Sequence, residues 1–210
     1  MSSSKSNRIL SIYNSRKNIL DILFEQNYNI SEYEGFTTNE IDAMYTNSQL
    51  DMLLTNDSNG HKVYIKYYLT AKQIRPPNLD DIIEDLFTIE NVLTKEDTLM
   101  IIVEDEPNDT IVSKMKYLYD HDGIFVVIHN IRRLQYNILK HRLVPPCFVL
   151  NKTETDLLMK QYNIKDPKQL PEISRFDPQA LAMCLRPGDV CKFERNSSTA
   201  MKYNYYRVCI

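Results

Sequence analysis

Two six-residue stretches, TLMIIV at 98–103 and IFVVIH at 124–129, each hold five apolar residues in a row and are separated by a stretch with a different period. A run that is apolar at every position suits a strand buried on both faces, and such strands belong to parallel sheets covered by helices. The intervening NDTIVSKMKYLYDHDG has helical spacing and closes on Gly123, a C-terminal stop signal. Strand, helix, strand in this order predicts an α/β layer. Upstream, NLDDIIEDLFTIENVL (78–93) follows Pro76 and Pro77 and carries acids in its first turn, where the helix dipole favours them. Before it, LDMLL (50–54), the turn NDSNG (56–60) and KVYIKYYL (62–69) predict a β-hairpin. The stretch LQYNILKH (134–141) is expected to add a further strand.

Apolar residues from Arg8 to Tyr28 recur at helical spacing, so a first helix is expected there, with Ser6 or Asn7 as N-cap. A short second helix is expected around Asn39 to Tyr45, capped by Thr38. Pro145 and Pro146 fix φ and donate nothing to a sheet, so they end this region. Beyond them the pattern predicts a helix at 153–164 capped by Thr153 and a helix at 177–185 with Asp177 as N-cap and Pro178 in its first turn. A turn at 187–189 follows, then strands from VCKFER and NYYRVCI. The chain is therefore read as α/β in two domains, 1–140 and 141–210, the second built on a small mixed sheet.

Charge separates the two parts. Residues 1–140 carry 14 basic and 21 acidic side chains, a net of −7, whereas residues 141–210 carry 11 and 7, a net of +4. An acidic first part disfavours an independent nucleic-acid binder, because such binding neutralises phosphates. The basic second part suits an acidic partner surface. No segment has the apolar length of a membrane span, and MSSSKSNR leads into an amphipathic pattern, so no membrane partner and an intracellular chain are expected. Cys147, Cys184, Cys191 and Cys209 include no CxxC pair and are expected as free thiols rather than zinc ligands.

Candidate chemistry is sparse. Asp51 or Asp57 followed by Lys66 in YIK has the layout of a metal-dependent nuclease, in which acids on a hairpin hold a divalent metal and a lysine stabilises the attacking water. Tyr64 stands where a further acid is needed, which favours solvated polar faces of a hairpin. His61, His121 and His129 lack metal-ligand spacing. EDEPND (104–109) lies at the strand end where open α/β sheets bind ligands, and it reads as an acidic loop and helix start. ERNSSTAMKY (194–203) offers Arg195, hydroxyls and Lys202 to a phosphate, but lacks the glycines that let backbone wrap one. Tyr205 and Arg207 are expected on one face of the last strand and Tyr206 and Val208 on the other, as packing and interfaces require.

Seven pieces in the last seventy residues occur in one family order: HRLVP (141–145), LLMKQYNI (157–164), LPEI (170–173), DPQA (177–180), RPGDV (186–190), ERNSSTA (194–200) and YYRVCI (205–210). This part resembles the small assembly subunit shared by eukaryotic nuclear RNA polymerases, their fifth subunit, and its shorter archaeal counterpart. The resemblance implies an α/β assembly module that binds the largest polymerase subunit. Carried over by position, its interface residues are His141, Leu143, Val144, Pro145, Asp177, Pro178, Gly188, Asp189, Arg195, Thr199, Tyr206 and Arg207. Arg142, Cys147 and Met201 depart from the pattern, where the family commonly has an acid, a second histidine and a glycine. Residues 1–140 resemble the eukaryotic jaw domain, which implies a nuclease-like α/β fold without nuclease activity.

The function expected is a non-catalytic subunit of a multisubunit DNA-directed RNA polymerase, with no catalytic residue, cofactor or metal of its own. Its expected partners are the largest subunit, the rest of the polymerase and, weakly, downstream duplex DNA. No particular jaw residue is assigned to DNA by a motif; Arg8, Arg16 and Lys17 on the first helix are the basic side chains offered. Divergence of the jaw leaves a cellular origin, with nuclear localisation, and a large-DNA-virus origin, with host cytoplasm, nucleus or virion, both open. The competing readings are a metal-dependent nuclease using Asp51, Asp57 and Lys66, and a free-standing nucleic-acid binder.

Overall fold

A computed structural model describes residues 2–210, with side chains from Ser6 onward. The chain divides between Asn137 and Ile138 into two compact units. The first holds α1 (Ser2–Phe24), α2 (Thr38–Thr46), β1 (Met52–Thr55), β2 (Lys62–Tyr67), α3 (Pro76–Ile83), β3 (Thr98–Val103), α4 (Asp109–Tyr117) and β4 (Phe125–Asn130). Its sheet runs β1-β2-β3-β4. β1 and β2 form an antiparallel hairpin, and β2, β3 and β4 are parallel. All six residues of β3 and all six of β4 are buried, as their apolar runs require of strands covered on both faces. The α/β class and the hairpin are thus as the pattern predicts.

Local chemistry moves several boundaries. α2 is capped by Thr37 rather than Thr38: Thr37 accepts from the Glu40 amide, and the Glu40 carboxylate takes the Thr37 amide at 2.7 Å, a complete capping box. α1 starts well before Ser6, so neither Ser6 nor Asn7 caps it. α3 begins on the two prolines, which pre-set φ and lack only amides that a first turn leaves unpaired. Both α3 and α4 continue as wider i→i+5 turns, over Glu84–Ile89 and Leu118–Asp122, and the second closes on Gly123 at φ 72°.

The stretch 134–141 is not a strand. It forms two tight 3₁₀ turns, Arg133–Gln135 and Ile138–Lys140. The reason lies in its polar side chains. Gln135 Nε2 donates to the Ser11 and Ile131 carbonyls, and Asn137 Nδ2 donates to Asp21 Oδ2 at 2.8 Å, fastening residues 135–137 to α1.

The second unit holds β5 (Cys147–Val149), α5 (Lys152–Gln161), β6 (Glu172–Ile173), α6 (Pro178–Ala182), β7 (Val190–Ser197) and β8 (Met201–Cys209). Its sheet order is β5-β7-β8-β6, mixed, with β6 parallel to β8 and the other pairs antiparallel. Alternation along β7 and β8 supplies two cores. Cys191, Phe193 and Cys209 pack with Ala180 of α6 on one side, and Val190 and Val208 pack with Leu158 of α5 on the other. α5 is capped by Asn151, two positions before the expected Thr153, again through a capping box with Glu154. Asp177 caps α6 as expected.

Candidate assembly surface

In the N-terminal unit Asp51 and Lys66 are brought together, but Asp57 is not brought to them. Asp51 sits at the open end of the hairpin, where one carboxylate oxygen accepts the Tyr67 amide at 3.0 Å. The other takes the Tyr64 hydroxyl at 3.2 Å and the Lys66 ammonium at 3.3 Å. Asp57 lies past the far end of β1, in the exposed turn, six residues away along extended chain. At roughly 3.3 Å per residue that is on the order of 20 Å. One metal ion cannot bridge them, so the nuclease layout read from Asp51, Asp57 and Lys66 is corrected by the strand between the two acids.

The acidic loop after β3 is neutralised rather than presented. Glu104 pairs with Arg8 at 2.6 Å and Glu106 with Arg133 at 2.6 Å. Strands β2, β3 and β4 are also added in one direction, so the sheet lacks the reversal of strand order at which open α/β sheets form a ligand crevice. Of the three basic residues offered to DNA, Arg16 is corrected outright. It is 3% exposed, donates to the Leu50 carbonyl at 2.8 Å and stacks between Tyr33 and Phe36; burial lowers its pKa. Arg8 is engaged by Glu104 and the Leu69 carbonyl, and Lys17 is exposed.

In the C-terminal unit the twelve singled-out residues fall into three places. The opening segment is a turn organised by His141, whose carbonyl accepts from the Val144 amide at 2.9 Å and whose Nδ1 accepts from the Leu143 amide at 3.3 Å. An accepting Nδ1 puts the ring proton on Nε2. The same turn pushes Leu143 outward to 77% exposure. Pro145 is tied to α6 through its carbonyl, which accepts from Gln179 Nε2 at 2.8 Å, and Asp177 and Pro178 form the start of that helix. Gln179 is a link that no sequence signal announced.

Gly188 and Asp189 build the turn that enters β7. Gly188 has φ 97°, a conformation that L side chains resist, and its amide donates to the Cys209 carbonyl at 2.9 Å. Asp189 accepts from the Arg186 amide at 2.8 Å; burial raises its pKa above the usual carboxylate value, against the opposing pull of that bond and of Arg186. Both residues act by shaping this turn.

Arg195, Thr199, Tyr206 and Arg207 belong to the β7–β8 hairpin. Thr199 lies in its tip, where the Ser197 hydroxyl accepts from the Thr199 amide at 3.2 Å. Tyr206 packs on the α5 side of the sheet, with its ring 6.0 Å from that of Tyr162. On the other face Arg195 and Arg207 both lie over the Tyr205 ring, at 4.5 and 5.3 Å from its centroid. Tyr205 and Arg207 thus share a face, as strand alternation predicts. All four cysteines are free, and among the described residues no group of three His, Cys, Asp or Glu side chains is arranged to hold a metal.

These features define a two-unit α/β protein whose smaller unit presents an exposed apolar turn and an arginine–tyrosine hairpin. Residues 136–209 match the family model described as RNA polymerase Rpb5, C-terminal domain. The chain is 42% identical over 76 residues to the DNA-directed RNA polymerase subunit Rpo5 of Pyrococcus abyssi, which covers 36% of this chain and 92% of that one. It is 41% identical over 76 residues to the same subunit of Thermococcus kodakarensis, with the same coverage. It is also 28% identical over 214 residues, 97% of this chain and 98% of the relative, to the DNA-directed RNA polymerases I, II, and III subunit rpabc1 of Dictyostelium discoideum. The chain belongs to the Rpb5/Rpo5 family of RNA polymerase subunits.

Proposed function

We propose that this chain is an accessory, non-catalytic subunit of a multisubunit DNA-directed RNA polymerase, binding the largest subunit through residues 141–210. Residues 1–140 form a jaw placed near downstream duplex DNA. The observation that carries the reading is one of coverage: 76 residues matching the C-terminal unit make up 92% of the Pyrococcus abyssi subunit. What that relative does in its polymerase it does with this unit and little else. The full-length match to the Dictyostelium subunit brings the N-terminal unit into the same assignment and favours a eukaryotic-type polymerase working in the nucleus.

In this reading nucleotide addition belongs to the large subunits, and this chain contributes no reacting group. Leu143 is the apolar anchor of the interface, presented by the turn that His141, Val144 and Pro145 shape and that Gln179 holds against Asp177 and Pro178. Arg195, Thr199, Tyr206 and Arg207 contribute from the hairpin, while Gly188 and Asp189 keep its base in shape. DNA contact by the net −7 jaw is weak and exists only within the assembly.

Co-expression of the tagged full chain with the largest subunit tests the assignment. The largest subunit is expected to co-purify, and Leu143→Asp to reduce its recovery while leaving the circular dichroism spectrum unchanged. Failure of the unaltered chain to retain the largest subunit overturns the proposal.

A further inference from the structure

β8 runs nine residues, but its outer neighbour β6 covers only Val208 and Cys209. The Val208 and Ile210 amides point to that outer side and donate to the Pro171 and Ile173 carbonyls. Amide direction alternates along a strand in continuous register, so the amides of Tyr206 and Asn204 point outward too. No acceptor meets them among the described residues. Met201 to Asn204 are exposed, and between Met201 and Tyr206 this edge carries no proline and a single charged residue, Lys202.

The face beside this edge carries uncompensated charge. Arg195 and Arg207 stack on Tyr205, and neither has a carboxylate within ion-pair distance among the described residues. Glu194 lies on the opposite face and is engaged by Lys192 at 3.3 Å. Arg207 Nη1 donates to the Glu172 carbonyl at 3.1 Å, which puts its guanidinium at the end of β6, and its Nε is buried without a partner. A strand continuing past β6 would set a side chain about 5 Å from the residue opposite it on β8.

We propose that the outer edge of β8, from Met201 to Tyr206, accepts an extended acidic segment of another polymerase subunit as an added strand, with a carboxylate of that segment on the Arg207 and Arg195 guanidiniums. Main-chain bonds to Asn204 and Tyr206 supply the register, and charge complementarity to the net +4 unit selects an acidic strand. The inference rests on the polymerase-subunit assignment above.

Amide hydrogen exchange at single-residue resolution tests it on the full chain, free and within the purified polymerase. The Asn204 and Tyr206 amides are expected to exchange rapidly in the free chain and at least tenfold more slowly in the complex. A second arm uses Arg195→Glu with Arg207→Glu, expected to weaken retention of the complex tenfold or more and to flatten its salt dependence. If the unaltered chain enters the polymerase while both amides exchange at their free rates, the added strand is overturned and the subunit assignment stands. Unchanged retention of the double variant overturns the carboxylate contact. If the unaltered chain enters no polymerase, the assignment itself has failed.

Discussion

Asp51 and Lys66 stand 3.3 Å apart at the open end of the β1–β2 hairpin, and the carboxylate spends its second oxygen on the Tyr67 amide. The pair closes the hairpin. Asp51→Ala leaves the Tyr67 amide unpaired and is expected to destabilise the N-terminal unit by about 1–3 kcal/mol. Lys66→Ala removes one partly exposed ion pair and costs no more than about 1 kcal/mol. Urea unfolding measures both. The chain is also expected to leave duplex DNA intact in magnesium; cleavage that disappears in Lys66→Ala would restore the nuclease reading.

Asp97 ties the start of β3 to its neighbours. Burial by itself pushes its pKa up, but the Lys62 amide at 2.6 Å and the Thr94 amide and hydroxyl at 2.7 Å outweigh burial and hold it below the usual carboxylate value. A folded-state pKa that is depressed contributes stability fully present above the unfolded value of about 3.9 and lost as pH falls through the folded one. Asp97→Ala is expected to cost about 2–4 kcal/mol at neutral pH, since it orphans donors of a charged acceptor. The gap between variant and parent should narrow below about pH 4. A pH-independent gap would contradict this account.

Met201 occupies the left-handed region at φ 58° and is 84% exposed. It closes the three-residue tip between Ser197 and Met201, where a glycine adopts that φ without strain. Relief of roughly 1–2 kcal/mol of strain is partly offset by the greater freedom of glycine in the unfolded chain. Met201→Gly is therefore expected to stabilise the C-terminal unit by about 0.5–1 kcal/mol, read as a higher denaturant midpoint. A lower midpoint would show that the methionine side chain contributes something its exposure hides.

Cys147 is the thiol whose surroundings most favour the thiolate. The Cys191 thiol donates to its sulfur, which favours the Cys147 thiolate and lowers its pKa, while the same contact and burial raise that of Cys191. Burial pushes Cys184 and Cys209 up to about 12. Iodoacetamide is expected to label Cys147 first, with a rate that inflects below the pH typical of a free cysteine, about 8.5. The other three should react only on unfolding. Mass spectrometry after limited labelling distinguishes the sites.

Much of this architecture is legible in residue order, because unbroken apolar runs such as 99–103 leave few alternatives to a buried strand. Where the reading failed, a side chain overrode a pattern. Alternation across 134–141 mimics a strand, yet Gln135 and Asn137 reach back to a helix more than a hundred residues earlier, a contact no local period reveals. The helix starts shifted because Thr37 and Asn151 each meet a glutamate three positions on, a reciprocal pairing that outcompetes Thr38 and Thr153. On the candidate surface, the Arg195 and Tyr205 types were visible, but their stacking depends on β7 lying opposite β8. The Gln179 link to Pro145 likewise depends on α6 meeting a turn thirty-four residues upstream.

The sheet order β5-β7-β8-β6 places the last strand in chain order inside the sheet rather than at its border. During synthesis the N-terminal sheet has all its strands once residue 130 has emerged, whereas β5, α5, β6 and α6 have little to pack on until β8 arrives. Domains made on the ribosome fold as units in the order they emerge. The N-terminal sheet can therefore close before the C-terminal one, whose surface is completed only with β8, the last of its strands in chain order and an inner one in the sheet.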